Sequence, residues 1–218
     1  MGTVAASILA ADFANLGAQV AAVEPSVGVF HVDIMDGHFV PPIALGAVIV
    51  KSMRPITDRP LHGHLMVETP ESFFDELREA GLDIVSFHLE AVPEPGPAIA
   101  KARGAGLGVG LTMNLETPVQ AVVPYLESID DVMLMSIRPG WSFQELNPDV
   151  YPRLGAVRSE IDRRGLDVTL EIDGGVKLDN AKAAVDAGAT VLIAASGIFA
   201  QPDPADAARR LAAIAEGA

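Results

Sequence analysis

The stretch His31-Val32-Asp33-Ile34-Met35-Asp36-Gly37-His38, HVDIMDGH, sets two histidines and two acids into eight residues of an otherwise apolar neighbourhood. Side chains alternate along a strand, so His31, Asp33 and Met35 share one face while Val32 and Ile34 share the other. An imidazole and a carboxylate therefore stand side by side on one surface of a strand. What that surface does depends on how many other strands deliver similar groups to the same place.

Working outward, short Val/Ile/Leu-rich runs alternate with longer Ala-rich amphipathic stretches, the pattern of repeated βα units around a parallel sheet. The spacing predicts strands at 4–9, 29–34, 61–67, 84–88, 107–112, 131–136, 168–172 and 191–195. Helices are expected between them at 12–23, with Asp12 as N-cap, and at 44–53, 71–80, 97–103, 118–126, 148–164, 178–187 and 204–216. Several of these end in glycine, as at Ala80-Gly81-Leu82-Asp83 and Ala187-Gly188-Ala189-Thr190, where a helix turns into the next strand. Eight βα repeats define an α/β fold, a (β/α)8 TIM barrel: a parallel eight-stranded barrel with outer helices, in one catalytic domain over 1–218. A doubly wound open sheet is the alternative, weakened by the absence of GxGxxG after the first strand.

In a barrel of this kind the βα loops open on one rim, so reactive groups belong at the C-terminal ends of the strands. The chain places Ser7, His31 and Asp33, His64 and Met66, His88 and Glu90, Asn114, Met135 and Ser136, Asp173, and Ser196 and Gly197 at those ends, in strand order. His31, Asp33, His64 and Asp173 are expected to meet across the mouth as two imidazoles and two carboxylates. Divalent ions of borderline softness, Zn2+, Fe2+, Mn2+ or Co2+, accept that mixture of N and O ligands. Charged groups on apolar strands are costly unless paired or coordinated, which favours one shared cation over four isolated core residues.

Composition narrows the classes of function. With no cysteine there is no disulfide, thiolate nucleophile or thiolate metal site, and any metal falls to His, Asp and Glu. A formal charge of −14 argues against nucleic acid as a partner, and the apolar runs are too short to cross a membrane. The N-terminal MGTVAASILAADFA lacks the basic start of a secretory signal, so a cytoplasmic location is expected. An anionic small molecule fits such a chain only if backbone N–H groups or an arginine overcome the overall field.

SILAADFANL, HVDIMDGHFVP, HLMVETP, NLETP, MSIRPG, EIDGGV and SGIF occur in that order over nearly the whole chain. In these stretches the sequence resembles the ribulose-phosphate 3-epimerase family, and HVDIMDGHFVP alone is a highly specific signature of it. The resemblance implies a metal-dependent barrel enzyme that inverts C3 of a phosphorylated ketose and works as a homo-oligomer. It implies one divalent ion on His31, Asp33, His64 and Asp173, and it names Asp33 and Asp173 as the proton-transferring pair. Met35, Met66 and Met135 match methionines lining the family's site, a polarizable wall that excludes water. His64, Ser7 and Asn114 are further candidates for substrate contact, the last two by bonding hydroxyls or orienting ligands. Asp36 and His38 are expected to shape their loop.

The chemistry of C3 inversion accounts for that set. Removing the proton beside a ketone leaves an enediolate whose oxygens need a cation, and inversion needs one acid on each side of the substrate plane. Strands two and seven lie on different sides of a barrel mouth. For the phosphate, Gly140, Gly174, Gly175, Ser196, Gly197 and Arg138 are the candidates. Here the chain departs from the family, because Ser142 and Phe143 stand where members carry a Gly-Gly pair, and a side chain there limits the approach of an anion to backbone N–H. Either the other candidates hold the phosphate, or the ligand differs, and Arg138 either contacts it or points to solvent. Ala6, Pro42 and His62 also differ from the family's usual Pro, Asn and Asp. By alternation His62 shares the face of His64 and is a candidate partner for it. Ribulose 5-phosphate and xylulose 5-phosphate are the first substrates to expect, a hexulose 6-phosphate such as allulose 6-phosphate the rival, and a noncatalytic sugar-phosphate binder the rival of another class.

Overall fold

The computed structural model describes residues 2–217; Met1 and Ala218 of the expected domain lie outside them. Its strands are β1 (Thr3–Ser7), β2 (Val29–Asp36), β3 (Ile43–Ala44), β4 (Leu61–Met66), β5 (Ile84–His88), β6 (Gly108–Met113), β7 (Asp131–Met135), β8 (Thr169–Asp173) and β9 (Val191–Ala194). Its α-helices are α1 (Leu16–Val23), α2 (Ala47–Met53), α3 (Phe74–Ala80), α4 (Gly96–Gly104), α5 (Val150–Arg164), α6 (Ala181–Asp186), α7 (Ser196–Phe199) and α8 (Pro204–Glu216). The sheet runs β1-β9-β8-β7-β6-β5-β4-β2-β3, and the further pairing of β1 with β2 closes it. All pairings are parallel except that of the short β3 with β2, so β3 is an appendage on a closed barrel of eight parallel strands. Closure leaves the barrel without a free edge.

The alternation read in HVDIMDGH holds around the ring. Outward residues such as Phe30, Val32, Leu65, Val85, Phe87, Val109, Leu111, Leu134, Leu170 and Ile172 join the helices' apolar faces in one continuous core. The barrel interior is divided: Ala5, Met133, Met135, Val191 and Ile193 pack as an apolar cluster, while His31, Asp33, His62, His64, Ser86, His88, Asp131 and Glu171 are buried polar groups. A (β/α)8 interior is ordinarily filled with branched apolar side chains, so this polar half stands out. Among the described residues no helix is long and apolar enough to cross a membrane.

The elements depart from expectation where proline and local capping intervene. The fifth expected helix, 118–126, is instead two 3-10 stretches, Val119–Ala121 and Val123–Ser128. Pro124 lacks the N–H that a continuous helix needs at that point. The side chain of Asp12 accepts from the N–H of Ala14 and caps a 3-10 turn (Phe13–Asn15) rather than α1 itself. Ala44 belongs to β3, and α2 starts only after Leu45 and Gly46 have both taken positive φ. Gly81 ends α3 in the left-handed conformation and donates to Arg78, as its helix-terminal position suggests.

Candidate active site

Strand register assembles the site. Asp33 on β2 lies opposite His64 on β4, Met35 opposite Met66, Ser7 on β1 opposite His31, and Met135 on β7 opposite Asp173 on β8. The ligand atoms of His31, Asp33, His64 and Asp173 all lie within 4.8 Å of one another. His64 Nδ1 is 3.3 Å from Asp33 Oδ1 and 3.6 Å from Asp173 Oδ2, and His31 Nε2 is 3.6 Å from Asp33 Oδ1. The Ser7 hydroxyl donates to Asp33 Oδ2 at 2.7 Å, which turns Oδ1 toward the two rings. Ser136 donates from its backbone N–H to the Asp173 carbonyl and from its hydroxyl to the Gly174 carbonyl, bracing the end of β8.

Two observations fit a divalent ion here. Neither ring nitrogen of His31 has a hydrogen-bond partner although the residue is fully buried, a costly arrangement for an imidazole with nothing to bind. The separations of 3.3–3.6 Å are also long for hydrogen bonds, and they match the edge of about 3.4 Å set when two ligands sit about 2.1 Å from one tetrahedral cation. The electrostatics show a spot that favours positive charge. Burial opposes charge on His64, but Asp173 and Asp33 against its Nδ1 outweigh burial and raise it to about 9. Burial would lift Asp33, yet the His31 and His64 rings hold it well below the usual carboxylate range.

A second tier of side chains orients His64. Its Nε2 lies 2.9 Å from His88 Nε2, and His88 Nδ1 is 3.0 Å from Glu90 Oε2. Ionised Glu90 can only accept, so His88 Nδ1–H donates to it; the neutral His88 ring then accepts from His64 Nε2–H, and His64 Nδ1 is left facing the carboxylates. Burial lowers His88 to about 4 despite Glu90. Glu90 is lowered to about 2 against its own burial, by bonds from His88, the Thr117 hydroxyl and the Asn114 N–H. Sequence spacing placed His88 and Glu90 at a strand end but gave them no task; the signal was their i, i+2 alternation on the next strand around.

Asp33 and Asp173 of the cluster open onto a cleft at the C-terminal rim. Ser7, Asp33, Met35, Met66, Met135, Gly140, Asp173, Gly174, Gly175 and Ser196 line it, joined by Trp141, Ser142, Phe143, Ile137, Leu9 and Ile193, which the motifs did not single out as contacts. Four candidates for substrate contact do not line it: His64 is fully buried beneath Asp33 and Asp173 and has no face in the cleft, and three others fall elsewhere. Asn114 and Arg138 line a different cleft with Phe39 and Glu116; the Asn114 N–H is turned onto Glu90 and its carbonyl onto Arg153. Gly197 is buried under the Val176 carbonyl, which a Cβ there would strike, so it permits close packing rather than lining the cleft. His62 makes no bond to His64; its ring meets that of His31 edge-on at 5.1 Å, and its Nε2 pairs with Ser86. Asp36 shapes the loop as expected, accepting from the N–H groups of His38, Phe39 and Glu68.

Phe143 takes φ of +66°, the left-handed conformation that favours glycine, and the residue is 72% exposed. The loop thus keeps a glycine-like backbone while Phe143, largely exposed, stands at the rim of the cleft it helps to line.

Fold and site together define a (β/α)8 barrel with a His/Asp cluster able to hold a metal ion at its C-terminal rim. Residues 3–199 match the ribulose-phosphate 3 epimerase family, and the chain belongs to that family, whose members are epimerases, isomerases acting on carbohydrates. It is 40% identical over 202 residues to ribulose-phosphate 3-epimerase of Bacillus subtilis, covering 92% of this chain and 93% of the relative. Against that of Synechocystis it is 40% identical over 207 residues, 94% and 90% of the two chains. The solved structure of orotidine 5'-phosphate decarboxylase from Pyrococcus horikoshii superposes with a TM-score of 0.73 at 17% identity, covering 99% of this chain and 100% of that one, and shares the barrel alone.

Proposed function

We propose that this protein is a metal-dependent ketose-phosphate 3-epimerase that interconverts D-ribulose 5-phosphate and D-xylulose 5-phosphate. The observation that carries the reading is the convergence of Asp33 from β2 and Asp173 from β8 on one imidazole, His64, at 3.3 and 3.6 Å beneath one cleft. The two acids come from strands separated by β1 and β9, which supports a reading in which a small planar intermediate lies with a carboxyl on each side. One carboxylate removes the proton from C3, and the other returns a proton to the opposite face; in the reverse direction the roles exchange. Zn2+, Fe2+, Mn2+ or Co2+ bound by His31, Asp33, His64 and Asp173 supplies the positive charge that enediolate oxygens require.

The rest of the cleft suits that chemistry. Ser7 fixes one oxygen of Asp33, so that carboxylate works from a defined position. Met35, Met66 and Met135, nearly fully buried, exclude water from the reacting carbon. Gly174 and Gly175, both at positive φ, and Ser196 present backbone and hydroxyl donors at the rim for the phosphate. Arg138, in the neighbouring cleft, is not part of that grip.

The test is a panel of pentulose 5-phosphates, hexulose 6-phosphates and unphosphorylated ketoses offered to metal-loaded protein. Ribulose 5-phosphate is expected to be turned over with the highest kcat/KM and free ribulose at least about 100-fold worse. Preference for a hexulose 6-phosphate or a free ketose contradicts the substrate assigned; turnover of none contradicts the activity.

A further inference from the structure

Beneath the catalytic cluster, deeper in the polar half of the barrel, His62 on β4, Ser86 on β5, Asp131 on β7 and Glu171 on β8 form a second group. The exposures of His62, Asp131 and Glu171 are 1%, 4% and 5%, and their ligand atoms lie within 4.8 Å of one another. We propose that these three side chains, with the Ser86 hydroxyl beside them, hold a second divalent cation of the Zn2+ or Co2+ class as a structural ion in the barrel interior. This goes beyond the epimerase reading, which uses none of these residues.

The hydrogen-bond pattern leaves a place for positive charge. Ser86 donates its single hydroxyl proton to Asp131 Oδ1 at 2.8 Å. It therefore accepts from His62 Nε2, 2.7 Å away. That fixes the neutral His62 tautomer with a bare Nδ1, and the atom it faces is Glu171 Oε2 at 3.5 Å. Two lone pairs thus point at one another. The gap is too wide for an O–H···N bond and matches the edge of about 3.4 Å between two ligands of a tetrahedral ion. Glu171 Oε2 and Asp131 Oδ2 have no hydrogen-bond partner although both are buried, and an orphaned carboxylate oxygen in a dry interior is strongly disfavoured. A divalent cation balances the two carboxylates and gives each orphaned acceptor a partner. Gly110 makes the room: a Cβ there would overlap both Asp131 and Ser86.

The experiment counts ions. Protein stripped with chelator, reloaded with excess Co2+ and freed of unbound metal is measured by elemental analysis, and circular dichroism checks that each variant is folded. Wild type is expected to bind two ions per chain, and Glu171→Gln and Asp131→Asn one each; the two variants back each other should one fail to fold. Asp173→Asn, which disrupts the catalytic cluster, is expected to keep the ion held by His62, Asp131 and Glu171. A single ion in wild type that Asp173→Asn loses and Glu171→Gln keeps overturns the second site and leaves the epimerase reading standing. A single ion with the opposite pattern supports the second site and counts against the catalytic metal. Two ions that both Glu171→Gln and Asp131→Asn retain also overturn the proposal.

Discussion

Asp33 shows how much one side chain can be asked to do. Ser7 holds one oxygen at 2.7 Å and leaves the other facing the rings of His31 and His64, and the proposed function asks this one carboxylate to serve both metal and substrate. The placing of His31 and Asp33 side by side on one face was legible in HVDIMDGH, because alternation on a strand needs no knowledge of rotamers or loops. The His64–His88–Glu90 chain was not, since it depends on ring orientation and on a loop that brings the Thr117 hydroxyl and the Asn114 N–H to Glu90. Glu90 supplies a pH-dependent prediction. Its carboxyl is lowered from 4.5 to about 2, so the ionised form stabilises the fold above its ordinary value, and that contribution is lost as pH falls from 4.5 toward 2. Glu90→Gln is therefore expected to lower stability by about 1 kcal/mol at pH 7, and urea midpoints should show the gap closing near pH 3. An equal gap at both pH values counts against the ionised carboxylate as its source.

Among the elements, periodicity located all eight barrel strands to within about two residues but misjudged the connections. The stretch 118–126 reads as a helix because its apolar positions recur, yet Pro124 interrupts it and two 3-10 turns form instead. In the loop 140–144 the sequence shows that Phe143 replaces a glycine but not that its backbone keeps a glycine-like φ of +66° with the residue largely exposed. Left-handed backbone costs a bulky residue about 1–2 kcal/mol, partly offset by glycine's greater freedom when unfolded. Phe143→Gly is thus expected to leave stability within about 1 kcal/mol and KM for the phosphorylated ketose within about threefold. Gly175→Ala behaves differently. Gly175 has φ of +63° and its Cβ would stand 2.5 Å from the Leu146 backbone nitrogen. A loss of about 1–3 kcal/mol in denaturant titration, with KM raised, is expected; a wild-type KM in the folded variant removes Gly175 from the phosphate grip.

For the whole molecule, closure of β1 on β2 turns scattered strand-end residues into one site, and that step was readable from the count of βα repeats. The division of the interior into apolar and polar halves was not, because which inward residues share a level depends on strand stagger. A barrel with unpaired buried acceptors should gain stability from the ions it takes up. At a concentration 100-fold above Kd, one bound ion adds about 2.7 kcal/mol, which raises Tm by about 5–10 °C for a chain of this size. Chelator should reverse the shift in a calorimetric scan, and an unchanged Tm on adding any of the four candidate metals contradicts metal binding at the rim. The central claim is that Asp33 and Asp173 work C3 from opposite faces, and its most direct test is NMR of ribulose 5-phosphate incubated in D2O with metal-loaded protein. Wild type is expected to deliver solvent deuterium to C3 as xylulose 5-phosphate forms, and folded Asp173→Asn to form it about 10²–10⁴-fold more slowly; epimerisation by Asp173→Asn at the wild-type rate would contradict the two-acid account.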